Sequence, residues 1–257
     1  MTIHLLLKSV KQKVYSMRTI RIFQDSPIEV NQELKLDEFG ANHVSRVLRM
    51  KPGEEIVVFN GLGSEYPSKI KEISKKEVIV LPFDKKTPLN ESPIKIHLVQ
   101  ALSKGDRMDF TIQKAVELGV TQITPIITSR CAVRLKDDRL EKKIESFKKI
   151  VISACEQCGR VFIPKVNPIL ELNEFFKVPD DNLKLILNPY TQTKIKELPR
   201  SQGYTLLIGP EGGLSDEEVK LAQDNNFKSV LLGPRILRTE TAPLVAISIL
   251  QASFGDI

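Results

Sequence analysis

The stretch IKIHLVQALSKGDRMDFTIQKAVELGVTQITPIIT, residues 94–128, decides the fold class. Its first part, residues 94–102, is an apolar-rich run of the kind a strand shows when both of its faces are covered. Met108, Ile112, Ala115, Val116 and Leu118 then recur at helical spacing, and Gly119 follows as a stop. ITPIIT opens a second buried run. The unit is therefore strand, helix, strand, and the pattern continues downstream. A helix is predicted over 138–157, strands at LKLILNP (183–189) and YTLLIGP (204–210), a helix over 216–225, a strand at SVLLG (229–233) and a closing helix over 242–254. Strands alternating with helices predict an α/β domain built on a mostly parallel sheet covered on both faces.

Upstream the period changes. TIRIF (19–23), EEIVVFN (54–60), SKIKEIS (68–74) and EVIVLPF (77–83) have alternating or β-branched character, with a GLG turn at 61–63. One helix, FGANHVSRVLRM (39–50), interrupts them. Closely spaced strands with one helix suit a small β-barrel. The polar, proline-containing stretch DKKTPLNESP (84–93) reads as the linker, with the boundary near Leu89. The expected organisation is an extension over 1–16, a barrel over 17–88 and the α/β domain over 89–257.

The 257 residues carry 38 Lys and Arg against 32 Asp and Glu, a net charge of +6, and are 41% hydrophobic and 27% charged. That composition excludes a small disulfide-stapled domain and a strongly basic tail. No apolar run approaches the ~20 residues that cross a bilayer. Residues 1–16, MTIHLLLKSVKQKVYS, hold only a three-leucine patch and no cleavage pattern, so they do not read as a secretion signal. A cytoplasmic protein without membrane contact is expected. Cys131, Cys155 and Cys158 suit a reducing compartment. Cys155 and Cys158 have a C-x-x-C spacing, but no second such pair accompanies them and His4, His43 and His97 are scattered. They are read as structural, and no metal is expected. Between Arg130 and Lys165, ten Lys and Arg face five Asp and Glu; this is either an anion-facing surface or a solvated helix face.

Three segments look chemical. LLIGPEGGLSDEE (206–218) runs a buried strand straight into three glycines and a proline. Ligands of open parallel sheets bind beyond the strands' carboxyl ends, where glycine lets backbone groups approach closely. Ser215 with Glu218 three residues on forms a capping box for the next helix. LLGPRILRTETAP (231–243) ends a second strand in Gly and Pro and passes through Arg235, Arg238 and Glu240, more charge than a plain connection needs. EQCGR (156–160) ends the basic helix with Arg160, a candidate anion contact or a helix cap. Neither G-x-G-x-x-G nor G-x-x-x-x-G-K occurs, so the dinucleotide and P-loop fingerprints do not apply.

Taken together, KGDRMDFTIQKAVELGV, EQCGR, IGPEGGLS and LGPRILRTETA, with FGD near the end and MRTIRIF and HVSRVLRMKPG near the start, resemble the SPOUT-class 16S ribosomal RNA uridine-N3 methyltransferase family. The resemblance spans Met17 to Ile257. Cys131 and Pro243 depart from the family pattern, and residues 1–16 lie outside it; these are expected to be a mis-set start or a weakly ordered extension. The resemblance implies a PUA-like RNA-binding barrel followed by a trefoil-knotted parallel-sheet SPOUT domain, working as a homodimer. S-adenosyl-L-methionine is the implied cofactor and 16S ribosomal RNA, within the small ribosomal subunit, the implied partner. Carried over position by position, the cofactor loops are Leu187, Asn188 and Pro189; Gly209, Pro210, Glu211, Gly212 and Gly213; and Leu232, Gly233, Ile236, Leu237, Arg238, Thr239 and Thr241. Uridine N3 holds a proton at neutral pH, so its methylation requires a base or a cation that favours the deprotonated ring. Arg160 and Arg238 are candidates for the charge, Glu156 and Glu240 for the proton. Arg18, Arg21, His43, Arg46 and Arg49 are the implied RNA patch on the barrel, with the basic helix over 139–149 adding phosphate contacts. The target base must leave its stack. The rivals are a non-catalytic RNA-binding assembly factor, which intact glycines at 209, 212, 213 and 233 disfavour, and a SPOUT enzyme acting on another RNA.

Overall fold

The computed structural model describes residues 19–74, 77–132 and 137–257. Residues 1–16 and Arg18 of the expected RNA patch lie outside the described residues. By contact the chain divides into two compact units, at Pro88 and Leu89.

The first unit is a five-stranded sheet. Its strands β1 (Arg21–Phe23), β2 (Leu34–Lys35), β3 (Glu55–Phe59), β4 (Glu65–Ile73) and β5 (Val78–Pro82) lie in the order β1-β3-β4-β5-β2. Only β1 and β3 run parallel. Ile22, Ile56, Val58, Ile70 and Val80 form its core. The helix expected over 39–50 is shorter. Helix α1 (Glu38–Asn42) starts at Asp37, whose carboxylate accepts from the Gly40 amide at 2.7 Å, and passes at once into a π-helical turn, His43–Val47. Arg49 then takes a left-handed φ of 54°. His43 is half-buried, while Arg46 and Arg49 are exposed.

Arg21 is not on the surface, which corrects its assignment to an RNA patch. Its side chain is 7% exposed, pairs with the equally enclosed Glu65 and lies 4.9 Å from the centre of the Phe59 ring. A carboxylate buried as Glu65 is requires a counterion, and Arg21 supplies it.

The second unit carries a seven-stranded parallel sheet. Its elements are β6 (Lys95–Ala101), α2 (Arg107–Glu117), β7 (Gln122–Ile127), α3 (Asp137–Cys158), β8 (Lys165–Val166), β9 (Leu170–Glu171), α4 (Leu172–Phe175), β10 (Leu183–Leu187), β11 (Gly203–Ile208), α5 (Asp216–Asp224), β12 (Lys228–Val230) and α6 (Thr241–Phe254). The strand order is β12-β10-β11-β6-β7-β8, with β9 also on β7. Every residue of β11 is buried, and β6 beside it is buried from Ile96 onward, as the apolar runs require. After β6 the chain builds toward β7 and β8; β10, β11 and β12 fill the other side. The sheet therefore switches direction between β6 and β11, and the carboxyl ends of those strands face a common crevice. No helix among the described residues is long and apolar enough to cross a membrane.

Arg160 is also placed differently from the expectation that it contacts the reacting base. It follows Gly159, where α3 ends in a left-handed φ of 86°, and is 5% exposed. Its Nε and Nη2 donate to the Glu91 carboxylate at 3.0 and 2.6 Å, and its Nη1 donates to the carbonyls of Val116 and Val120 at 3.0 and 2.7 Å. The guanidinium thus caps the end of α2 and fixes the entry to β6, which is a structural role. Arg160→Ala strands Glu91 and the Val120 carbonyl, while the Val116 carbonyl keeps the Gly119 amide, and is expected to lower the unfolding free energy by about 3 kcal/mol in urea titrations. Arg160→Lys should recover only part of it, because an ammonium cannot fork across a carboxylate.

Candidate functional site

The loops that leave β6, β7, β10, β11 and β12 converge on one cavity of about 880 Å³, within the range of small-molecule sites. The segment after β11 makes the tightest bend. A Cβ on Gly209 would come within 3.0 Å of the Leu214 side chain and 3.1 Å of its amide nitrogen, so a larger residue there would push the Leu214 segment outward by a few tenths of an ångström. Beyond it, Ser215 caps α5: its hydroxyl accepts from the Glu218 amide at 3.2 Å, and Glu218 accepts from Ser215 at 2.8 Å and from the Ser129 amide at 2.7 Å. Arg130, in the loop after β7, donates to the carbonyls of Gly212 and Leu214 at 3.1 and 3.2 Å and holds the bend from outside. In the second bend Gly233 adopts a φ of 143°, a value that a residue with a Cβ rarely takes.

Two cross-ties join these bends. One is buried and neutral. Gln100, at the end of β6 and 1% exposed, donates through Nε2 to the Thr239 hydroxyl at 3.1 Å, and that hydroxyl donates to the Gly209 carbonyl at 2.8 Å. The other is charged and sits at the cavity wall. Glu211 accepts from the Lys104 amide at 3.0 Å and from Arg107 Nη1 at 2.9 Å. Arg107 Nε lies 3.9 Å from Glu240 Oε2, and Arg238 Nη1 lies 3.9 Å from Glu240 Oε1. Partial burial pushes the Glu211 carboxyl up, but the hydrogen bonds from the Lys104 amide and from Arg107 outweigh it and hold the group below the ordinary range. Oε2 of Glu240 is buried and accepts no hydrogen bond among the described residues.

The segments at 187–189, 209–213 and 232–239 named from the sequence are brought together here, and Arg238 and Glu240 line the same cavity. Thr241 does not line it; as the first residue of α6 it donates its amide to the Arg238 carbonyl. Glu156, half-buried on α3, and Arg160 are likewise absent from the lining. Sequence reasoning missed Arg107 and Arg130. Both follow carboxyl ends of sheet strands, the rule that singled out Gly209, but no glycine marks the approach of an arginine side chain. Among the described residues no group of three or more His, Cys, Asp or Glu side chains is placed to hold a metal ion.

A parallel α/β unit with a ligand-sized cavity beyond its strand ends, and a separate small β-sheet unit, define an α/β protein with a small-molecule site and an accessory module. The chain belongs to the RNA methyltransferase family: the RNA methyltransferase domain model matches residues 90–251, and the RNA methyltransferase PUA domain model matches residues 40–83. Ribosomal RNA small subunit methyltransferase E of Buchnera aphidicola is 38% identical over 93% of this chain and 98% of its own. Among solved structures, a Legionella pneumophila methyltransferase with bound SAM superimposes with a TM-score of 0.91 at 44% identity, over 93% of this chain and 100% of that one. Ribosomal RNA small subunit methyltransferase E of Neisseria gonorrhoeae, bound to S-adenosyl methionine, gives 0.87 at 40%, over 93% and 99%.

The buried cross-tie can be cut selectively. Thr239→Val, a nearly isosteric change, removes the hydroxyl from the Gly209 carbonyl and leaves Gln100 Nε2 only the Ala101 carbonyl at 3.2 Å, and is expected to cost about 2 kcal/mol in chemical unfolding. Thr239→Ser should keep most of the stability. Equal losses for both would mean that packing of the methyl group, not the hydroxyl, holds the bends.

Proposed function

We propose that this protein methylates N3 of a uridine in 16S ribosomal RNA, using S-adenosyl-L-methionine, in the cytoplasm. The observation that carries the reading is the convergence of the 209–213 and 232–240 bends on one cavity, in a chain similar over most of its length to methyltransferases solved with that cofactor. The residues present fit such a ligand. Glu211, Asp216 and Glu240 stand on the wall among Arg107, Arg130, Lys220, Arg235 and Arg238, and Glu240 Oε2 is a buried acceptor that lacks a donor among the described residues and suits the amine of such a ligand. Leu187 to Pro189, Gly209 to Gly213 and Leu232 to Thr239 would hold it through backbone groups and apolar side chains. When bound, the cofactor supplies an already electrophilic methyl group, so the protein's task is to place the base in line and manage its proton. Glu240 is positioned to accept a proton within the cavity. Arg238, with a side chain 80% exposed, has a long contact to Glu240 at 3.9 Å as its one ion pair among the described residues.

RNA is bound by His43 and Arg46 on the π-helical turn and Arg49 just after it, and by phosphate contacts to α3. The SPOUT domain is a trefoil knot, as the family resemblance implies; the chain after β10 packs along β12, with Leu231 donating its amide to the Thr193 carbonyl at 2.7 Å and Asn188 donating its amide to the Val230 carbonyl at 3.0 Å. The enzyme acts as a homodimer. Helix α6 is apolar nearly all round, yet Leu244, Val245 and Ile249 are only half-buried in the single chain, which suits cover by a second copy.

Deleting the gene is expected to abolish one modified uridine in 16S ribosomal RNA, mapped by mass spectrometry of nuclease fragments, and the wild-type gene to restore it. In parallel, calorimetry on the well-folded protein should detect uptake of the methyl donor. No uptake, with or without RNA, would falsify the reading.

A further inference from the structure

Methylation at uridine N3 needs a cation that is both fixed and free to donate, and the arginines around the cavity differ in this respect. Arg160 lies off the wall in a buried clamp, Arg130 is committed to two carbonyls, Arg235 is exposed, and Arg238 is exposed and loosely held. An exposed, unfixed guanidinium loses most of its electrostatic worth to solvent. Arg107 is different. It is the first residue of α2, its Nη1 is anchored on Glu211, and Glu211 is itself anchored on the Lys104 amide. Nη2 has no partner among the described residues, and the residue lines the cavity at 43% side-chain exposure. A guanidinium carries five donors in a rigid fork, so anchoring one end orients the rest.

Beside it stands an acceptor without a donor. Glu240 Oε2 is buried, and Arg107 Nε lies 3.9 Å away, too far for a hydrogen bond. The cavity wall thus offers a fixed donor next to a fixed acceptor. The edge of uracil presents the complement, a carbonyl oxygen next to N3–H. The corresponding edge of cytosine presents an acceptor at N3, which would face the Glu240 carboxylate without a proton between them.

We infer that Arg107 and Glu240 together read the uracil edge, Arg107 donating to a ring carbonyl oxygen and Glu240 accepting from N3–H, and that the same pair handles the charge of reaction. This rests on the proposed methyl transfer. The N3–H bond breaks with its electron pair left on the ring, and the proton goes to Glu240. Negative charge delocalises onto the carbonyl oxygen that Arg107 contacts. N3 then forms its bond to the methyl carbon, and the pair of the breaking C–S bond stays on sulfur. Glu211 is a positioning residue: it holds Arg107 and touches no reacting atom.

The test uses the full-length protein with an RNA fragment bearing the target uridine, or cytidine in its place. Arg107→Gln is expected to lower turnover about 10²-fold at neutral pH, the lower end for loss of one preorganised donor, with donor affinity by calorimetry within threefold of wild type. Its pH–rate profile should move to higher pH, because without the cation the ring gives up its proton less readily. Arg107→Lys should restore part of the rate. Glu240→Gln is expected to narrow the preference of RNA binding for uridine over cytidine, since an amide can also donate. The inference is overturned if Arg107→Gln turns over within threefold of wild type, loses donor affinity in step with turnover, or keeps the wild-type pH profile. It is overturned too if Glu240→Gln leaves the uridine preference unchanged. Wild-type protein that takes up no donor would instead defeat the methyltransferase reading as a whole.

Discussion

The hydroxyl of Thr239 stands between Gln100 and the carbonyl of Gly209, and the geometry of the cavity depends on that contact. Three chain segments far apart in sequence meet there. Their mutual position is set by two hydrogen bonds in a nearly dry environment, where a mispaired group is expensive. The bend at Gly209 leaves a Cβ only 3.0–3.2 Å from Leu214 and Gly213, so it is packed closely and has little freedom of its own. The second bend has more, since nothing lies within 4 Å of a Cβ on Gly233 and only its backbone angle is restrictive. Fastening the adaptable bend to the rigid one fixes the wall that carries Arg238, Glu240 and the neighbouring apolar groups.

Buried ion pairs elsewhere show why charge in a sequence is a poor guide to contact. Arg21 and Arg160 both lie next to motifs that look functional, yet each neutralises a carboxylate and is withdrawn from solvent. Desolvating a guanidinium is costly, and the cost is met only when a carboxylate and carbonyls saturate it, as Glu91, Val116 and Val120 do for Arg160. The partner glutamates sit 44 and 69 residues away. No local pattern announces such pairs.

The parallel sheet was legible because β6 and β11 are buried on both faces, as is the centre of β10 at Leu185 and Ile186, and so carry apolar runs that half-exposed strands do not. The two-residue strands β8 and β9 were not, since their pairing with β7 is a tertiary event without periodicity. Nor was the break after Asn42: the apolar spacing of residues 39–50 suits a helix, but the backbone takes a π-helical turn and a left-handed Arg49. The glycine bends were visible in the sequence because their conformation demands a residue type. Arg107 was not, because an arginine that enters a site by its side chain leaves the backbone ordinary.

Charge is sorted by location in a way that the net value of +6 conceals. The cavity wall holds Glu211 and Glu240 on the two bends with Arg107 between them, and Arg130, Lys220, Arg235, Arg238 and Asp216 line it as well, whereas the segment from Arg130 to Lys165 carries twice as many basic as acidic residues. Solvent screens exposed charges beyond about 8–10 Å, so a bound group responds to the nearest side chains and not to the net value. A cation useful to a reacting base is one that neither a carboxylate neutralises fully nor solvent screens fully. Arg107, bonded to Glu211 at one end, half-exposed and with its Nε 3.9 Å from Glu240 Oε2, occupies that intermediate condition.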